Sequence, residues 1–329
     1  MKRVEALTWA RIALCLGVFA IFTLRDDRFF TTNNVFTILE GFAFLGLAAL
    51  AVGVTIIAGE FDLSVGSAAA VAGIIAVSVV EDVGLIPAVL LTSAIGAGYG
   101  AVQGYLVHRL KIQSLVFTLG TLIALRGVAF MISGENTVVM GDLADSDTVR
   151  RQLWIFSPFS LVTIAVFVAI GLFLRYVRDG RDVYAIGGGR QEAAAAGVAV
   201  VRPLVIAFTL SGSIAALTGA LTSIKSGSAG PAAFEELLLP AVTAALIGGV
   251  SLFGGKGSVV GIAIGALTLR FLISGLSLEG APFYVLTLAT GALLIVVVVL
   301  ELVIGPHELR ARWQRWRNRR RWATEAAPS

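Results

Sequence analysis

Residues 56–67 read Ile-Ile-Ala-Gly-Glu-Phe-Asp-Leu-Ser-Val-Gly-Ser, two carboxylates with small and hydroxyl side chains set between apolar stretches at 36–58 and 65–80. A carboxylate at the centre of a membrane helix costs about 2.5–3.5 kcal/mol on insertion scales. Glu60 and Asp62 must therefore sit at a membrane end, meet partners or line a watery path. The stretch predicts an interruption between two helices, formed either as a loop or as a re-entrant break.

The same alternation of apolar run and polar break continues in both directions. The chain has 329 residues, 57% hydrophobic and only 14% charged, with a mean hydropathy of +0.91, a composition foreign to soluble domains. Apolar runs of about twenty residues recur, each long enough to cross a hydrocarbon core as a helix, without the alternation of a membrane β-strand. The fold class is all-α: a polytopic bundle of about ten transmembrane helices, at roughly 8–24, 36–58, 65–80, 84–106, 113–132, 155–175, 203–225, 236–250, 257–275 and 282–304. A cytoplasmic N-terminus puts His108-Arg-Leu-Lys111, the arginine-rich 175–202 connection and the C-terminal tail inside, with acidic Glu81-Asp82 and the 135–147 loop outside. This follows the positive-inside rule, with Arg150-Arg151 the main dissent.

Two function classes fall away on composition. A single cysteine, Cys15, and two distant histidines, His108 and His307, leave no metal cluster and no nucleophile–histidine set for a membrane hydrolase. The tail from Arg310 to Arg321 holds seven arginines with Trp313 and Trp316 among them and Trp322 next. After a final span this composition suits an interfacial anchor on anionic lipid rather than a nucleic-acid patch.

Two glycine-rich segments imitate nucleotide sites and fail in detail. Gly187-Gly-Gly189 after Val183-Tyr-Ala-Ile186 has Glu192 where a dinucleotide fingerprint needs glycine, and a membrane span follows where a second strand should. Gly254-Gly-Lys-Gly-Ser258 has Val250 at the first glycine of a phosphate loop and Gly257 after the lysine. Residues 190–197 read instead as a slim, alanine-rich helix with Glu192 near its positive end and Gly197 as its stop. Residues 58–67 and 248–258 echo one another as Gly-rich breaks, and Gly96, Gly100, Gly104 and Gly261, Gly265 form small-residue stripes for close helix packing.

Together, Asp62-Leu-Ser-Val-Gly66, Thr118-Leu-Gly-Thr121 with Arg126-Gly127, Tyr184-Ala-Ile-Gly-Gly188, and Ile247-Gly-Gly with Ser251-Leu-Phe-Gly-Gly-Lys-Gly-Ser258 resemble the ribose-type permease subunits of bacterial ABC sugar importers. The resemblance spans about 36–304 and implies the ABC importer permease fold in a bacterial inner membrane, with both termini cytoplasmic. The chain thus divides into an N-terminal segment with the first span, 1–35, the permease domain, 36–304, and an arginine- and tryptophan-rich cytoplasmic tail, 305–329, that has no counterpart in the family. The resemblance further implies a non-enzymatic transport subunit, with no cofactor of its own, that imports a monosaccharide or related polyol. ATP and Mg belong to a separate ATP-binding subunit. The other partners implied are an extracytoplasmic sugar-binding protein and a second permease subunit, identical or not. Membrane lipid surrounds it and nucleic acid has no part. By position, the 180–203 segment contacts the ATPase, making Arg190, Glu192, Ala193 and Gly197 the coupling candidates.

Glu60, Asp62, Ser64, Gln103 and Ser251 are the polar residues placed to line or shape a translocation path, although Asp62 and Ser64 equally suit capping of the helix that starts near Val65. Arg126, inside the fifth span, needs a carboxylate or carbonyls and reads as a structural charge with Asp62 as one possible partner. Glu60-Phe61, where many members carry Gly-Ile, weakens transfer of a particular sugar. The rival readings are an ion-coupled secondary transporter, in which Glu60 or Asp62 carries a proton, and an ABC permease for another small solute such as a branched-chain amino acid.

Overall fold

The computed structural model describes residues 2–304; the predicted tail at 305–329 lies outside the described residues. The elements run α1 (Lys2–Arg25), α2 (Thr32–Ile57), α3 (Val65–Val83), α4 (Leu85–Leu110), α5 (Ser114–Ser133), β1 (Val138–Val139), α6 (Ala144–Arg150), α7 (Pro158–Tyr176), α8 (Arg178–Gly188), α9 (Arg190–Ala195), α10 (Val201–Ser226), β2 (Ser228–Ala229), α11 (Leu238–Ile247), α12 (Val259–Leu278) and α13 (Phe283–Ile304). A helix lies at every apolar run read from the sequence. Seven of them, α2, α3, α4, α5, α7, α10 and α12, are long and apolar enough to cross a membrane. At ten residues, α11 is about 15 Å long, half a hydrocarbon core.

The centre of the bundle is α2 and α10. Every residue of α2 from Leu45 to Ile57 is buried, so this helix meets protein on all sides, as an apolar helix without a polar stripe should. The small-residue stripes explain how neighbours approach. A Cβ at Gly100 would collide with the Phe208 carbonyl, and one at Gly104 would stand 3.0 Å from Val205 Cα, so α4 and α10 touch backbone to backbone. Gly261 and Gly265 meet Gly248 and Ala244 in the same way where α12 crosses α11.

The 175–202 connection, expected as a loop with a short helix at 190–197, is mostly helical. In α8, Gly180, Val183 and Ile186 recur every three residues on the buried side. The strand outline at 183–186 is thus one face of an amphipathic helix. At the other end of the bundle, β1 pairs antiparallel with β2, tying the connection after α5 to the end of α10.

Candidate functional site

The break between α2 and α3 climbs through the bundle. Ser211, ten residues beyond the first residue of α10, donates to Asp62, which places Asp62 about 15 Å along that helix and inside the membrane-level core. Non-helical backbone at such depth must find partners within the protein. Here Glu60 N donates to Thr55 O at 2.9 Å, Phe61 N to Ser114 Oγ at 3.1 Å, and Thr118 Oγ1 to Phe61 O at 3.0 Å. Ser114 and Thr118, in the first turns of α5, thus satisfy the backbone of the break inside the bundle.

Asp62 anchors the upper part. Its Oδ1 accepts from Ser64 N at 3.0 Å, Ser64 Oγ at 2.5 Å and Gln103 Nε2 at 3.1 Å, and its Oδ2 from Ser211 Oγ at 2.8 Å. Gln103 Oε1 in turn accepts from Thr121 Oγ1 at 2.8 Å and from the Tyr99 hydroxyl. Asp62, Ser64 and Gln103 are buried, so the structure brings three of the five path candidates into one satisfied network. Ser64 stands at the N-cap of α3 without capping it; its hydroxyl turns to Asp62, which itself takes the Ser64 amide. The sequence reading missed Tyr99, Thr121 and Ser211. Tyr99 was detectable, four residues before Gln103 on one helical face.

The lower part of the break is a junction of three segments. Gly255 N donates to Ile57 O at 2.8 Å. A Cβ at Gly187 would lie 2.7 Å from Gly255 N and closer still to the Ile57 carbonyl, while one at Gly254 would lie 2.7 Å from Gly59 Cα. Gly59, Gly187, Gly254 and Gly255 therefore let the two echoing breaks and the end of α8 close on one another with no side chain between them. Glu60, buried, forms a salt bridge with Arg190 of α9, and the Tyr184 hydroxyl of α8 donates to Gly257 O at 3.2 Å. Partial burial lowers the Arg190 pKa and raises that of Tyr184. A path candidate and a coupling candidate are thus one ion pair.

The coupling candidates face different ways. Ala193 is buried against the bundle, whereas Glu192 and Gly197 are exposed with Ala194, Ala195 and Ala196 between them. Gly197 has φ +83° and ends the turn, its N–H donating to Ala194 O at 3.0 Å. Ser251 stays apart from the Asp62 network, organising its own loop through Phe253 N at 3.3 Å.

Arg126 corrects one expectation. Its partner is Glu235, in the segment before α11, not Asp62, which is enclosed by uncharged donors. Glu40 pairs with Lys225 and accepts from Ser157, while Lys225 Nζ sits 5.8 Å from the Phe159 ring centre. Among the described residues no group of three or more His, Cys, Asp or Glu side chains is arranged to hold a metal ion.

A family model described as branched-chain amino acid transport system / permease component matches residues 34–299. The chain is similar to the ribose import permease protein RbsC of Escherichia coli (strain K12), 35% identical over 263 residues, covering 78% of this chain and 82% of that protein. It is also similar to the RbsC of Haemophilus influenzae, 32% identical over 307 residues, 91% of this chain and 94% of the relative. The fructose import permease protein FrcC of Rhizobium meliloti is 31% identical over 266 residues, 78% and 74% of the two chains. No solved structure matches the chain.

Proposed function

Since the chain belongs to the branched-chain amino acid transport system / permease component family, we propose that it is the membrane-spanning permease subunit of an ATP-driven importer for a monosaccharide or related polyol. Relatives named for ribose and fructose import support the sugar class. In this reading ten helices cross a bacterial inner membrane, both termini and the 180–203 coupling segment face the cytoplasm, and 305–329 is an anchor outside the 36–304 permease domain. ATP and Mg act on a separate ATP-binding subunit, solute arrives from an extracytoplasmic binding protein, and a second permease subunit completes the path.

The observation that carries this reading is the junction at Glu60–Arg190. The exposed, slim side of α9 suits docking in a groove of the ATPase; α9 is joined to the break through an ion pair, and the end of α8 through backbone contacts that leave no side chain to yield. A displacement of α8 and α9 is therefore passed to residues 57–62, a coupling of two packings through one contiguous element. Arg190 transmits, Glu192 and Gly197 face the ATPase, and Ala193 seats the helix. Asp62, Ser64 and Gln103 shape the wall of the path from behind, Glu60 connects it to α9, and Ser251 holds the second break. An ion-coupled carrier needs Glu60 or Asp62 free to exchange a proton, but one is salt-bridged and the other accepts from four donors.

The test is purification of the tagged chain from its native host in mild detergent, with co-purifying proteins identified by mass spectrometry. A stoichiometric Walker-motif ATPase, lost in Glu192→Arg, supports the reading. The chain alone concentrating solute in proteoliposomes on an ion gradient overturns it.

A further inference from the structure

Besides Glu60–Arg190, two further ion pairs reach into the bundle, and they differ in what surrounds them. Glu40–Lys225 is enclosed, with side chains 7% and 30% exposed and the ring of Phe159 against the ammonium. Arg126–Glu235 is open, with side chains 47% and 40% exposed. Arg126 stands twelve residues beyond Ser114 in α5, about 18 Å up a helix about 30 Å long. Its partner is at the same depth: Phe234, the neighbour of Glu235, has its carbonyl 2.7 Å from the Cβ position of Gly66 in the first turn of α3, and its ring 6.0 Å from that of Phe44 in α2. The segment before α11 therefore dips into the bundle, which is why α11 is short.

Half-exposed charges at this depth are untenable against lipid, because charged side chains inside a membrane face the bundle interior or a watery cavity. Glu236, next in sequence, is exposed as well, so the surface offers one guanidinium and two carboxylates. These donate to and accept from hydroxyl groups without favouring an anion. Resting on the importer reading above, we infer that Arg126, Glu235 and Glu236 line the water-filled translocation path and contact a neutral polyhydroxylated solute as it passes. The buried Asp62 network lies behind this surface. An exposed station of this kind binds weakly, as conduction requires.

Water access at these positions can be measured without knowing the solute. In a Cys15→Ser background, which removes the only cysteine, single variants Arg126→Cys, Glu235→Cys and Val168→Cys are treated in intact membranes with a charged, membrane-impermeant methanethiosulfonate. Asp147→Cys, at a residue whose side chain is 74% exposed, gives the reference rate. Val168 of α7, apolar and 55% exposed, is the lipid-facing control. The expected result is that Arg126→Cys and Glu235→Cys react at least about tenfold faster than Val168→Cys, since only water admits the charged reagent. Protection of Arg126→Cys and Glu235→Cys that disappears in detergent overturns the inference, because the pair would then face lipid or a second subunit. Either cysteine alone suffices if the other fails to accumulate. Co-purification of an ATPase subunit with the same variants separates failure of this inference from failure of the importer reading.

Discussion

Asp62 and Glu60 stand two residues apart in one break and are held in contrasting ways. Asp62 is caged by uncharged donors from the break itself, α4 and α10, all inside the bundle. Glu60 is held by one guanidinium from α9, a helix half-exposed outside the bundle, and the glycine contacts around it are backbone on backbone. A cage of short hydroxyl and amide bonds fixes position, and each bond lost leaves a buried group unsatisfied. A single ion pair from an outlying helix fixes a connection while letting the helix and the break move together. The difference separates what keeps the bundle folded from what lets it respond.

The contrast makes ordered predictions. Asp62→Ala should cost the most stability, about 3 kcal/mol, because four donors lose a charged acceptor at once; thermal unfolding in detergent reads it. Gly187→Ala should cost about 2 kcal/mol by driving a Cβ into backbone, and should abolish uptake in the reconstituted complex. Gly188→Ala, with nothing within 4 Å of its Cβ, should be neutral. Arg190→Gln should cost about 1–2 kcal/mol, reduced because Arg190 is half-exposed, yet it should uncouple, with ATP hydrolysis persisting while uptake falls. Combined with Glu60→Gln, it should show a coupling energy of about 1 kcal/mol. Among the variants that remove a contact, the smallest effect, about 1 kcal/mol with uptake retained, is expected for Ser211→Ala. Should Arg190→Gln destabilise more than Asp62→Ala while uptake survives, the assignment of roles is reversed.

Helix positions were legible because apolar runs bounded by charge or glycine dictate them, and the stripes at Gly96, Gly100 and Gly104 and at Gly261 and Gly265 do mark close packing. The depth of 58–64 was not legible, since it depends on Ser114 and Thr118 reaching its backbone from α5. Nor was the Glu60–Arg190 pair, whose members are 130 positions apart in a chain with many arginines to choose from. Arg126 needed a carboxylate, as its type and place required, but which one depended on the dip before α11, for which Gly230-Pro231 was the only local sign.

The seam between α4 and α10 also bears on how the chain is made. About 90 residues separate Leu110 from Val201, roughly 5–20 s of synthesis at typical ribosomal rates. Throughout that interval the glycine face of α4 has only lipid to meet, and the Asp62 cage waits for Ser211. The first half of the protein therefore cannot mature by itself. A nascent chain stopped before α10 would present an open, polar seam in the bilayer, a distinguishing mark for membrane quality control.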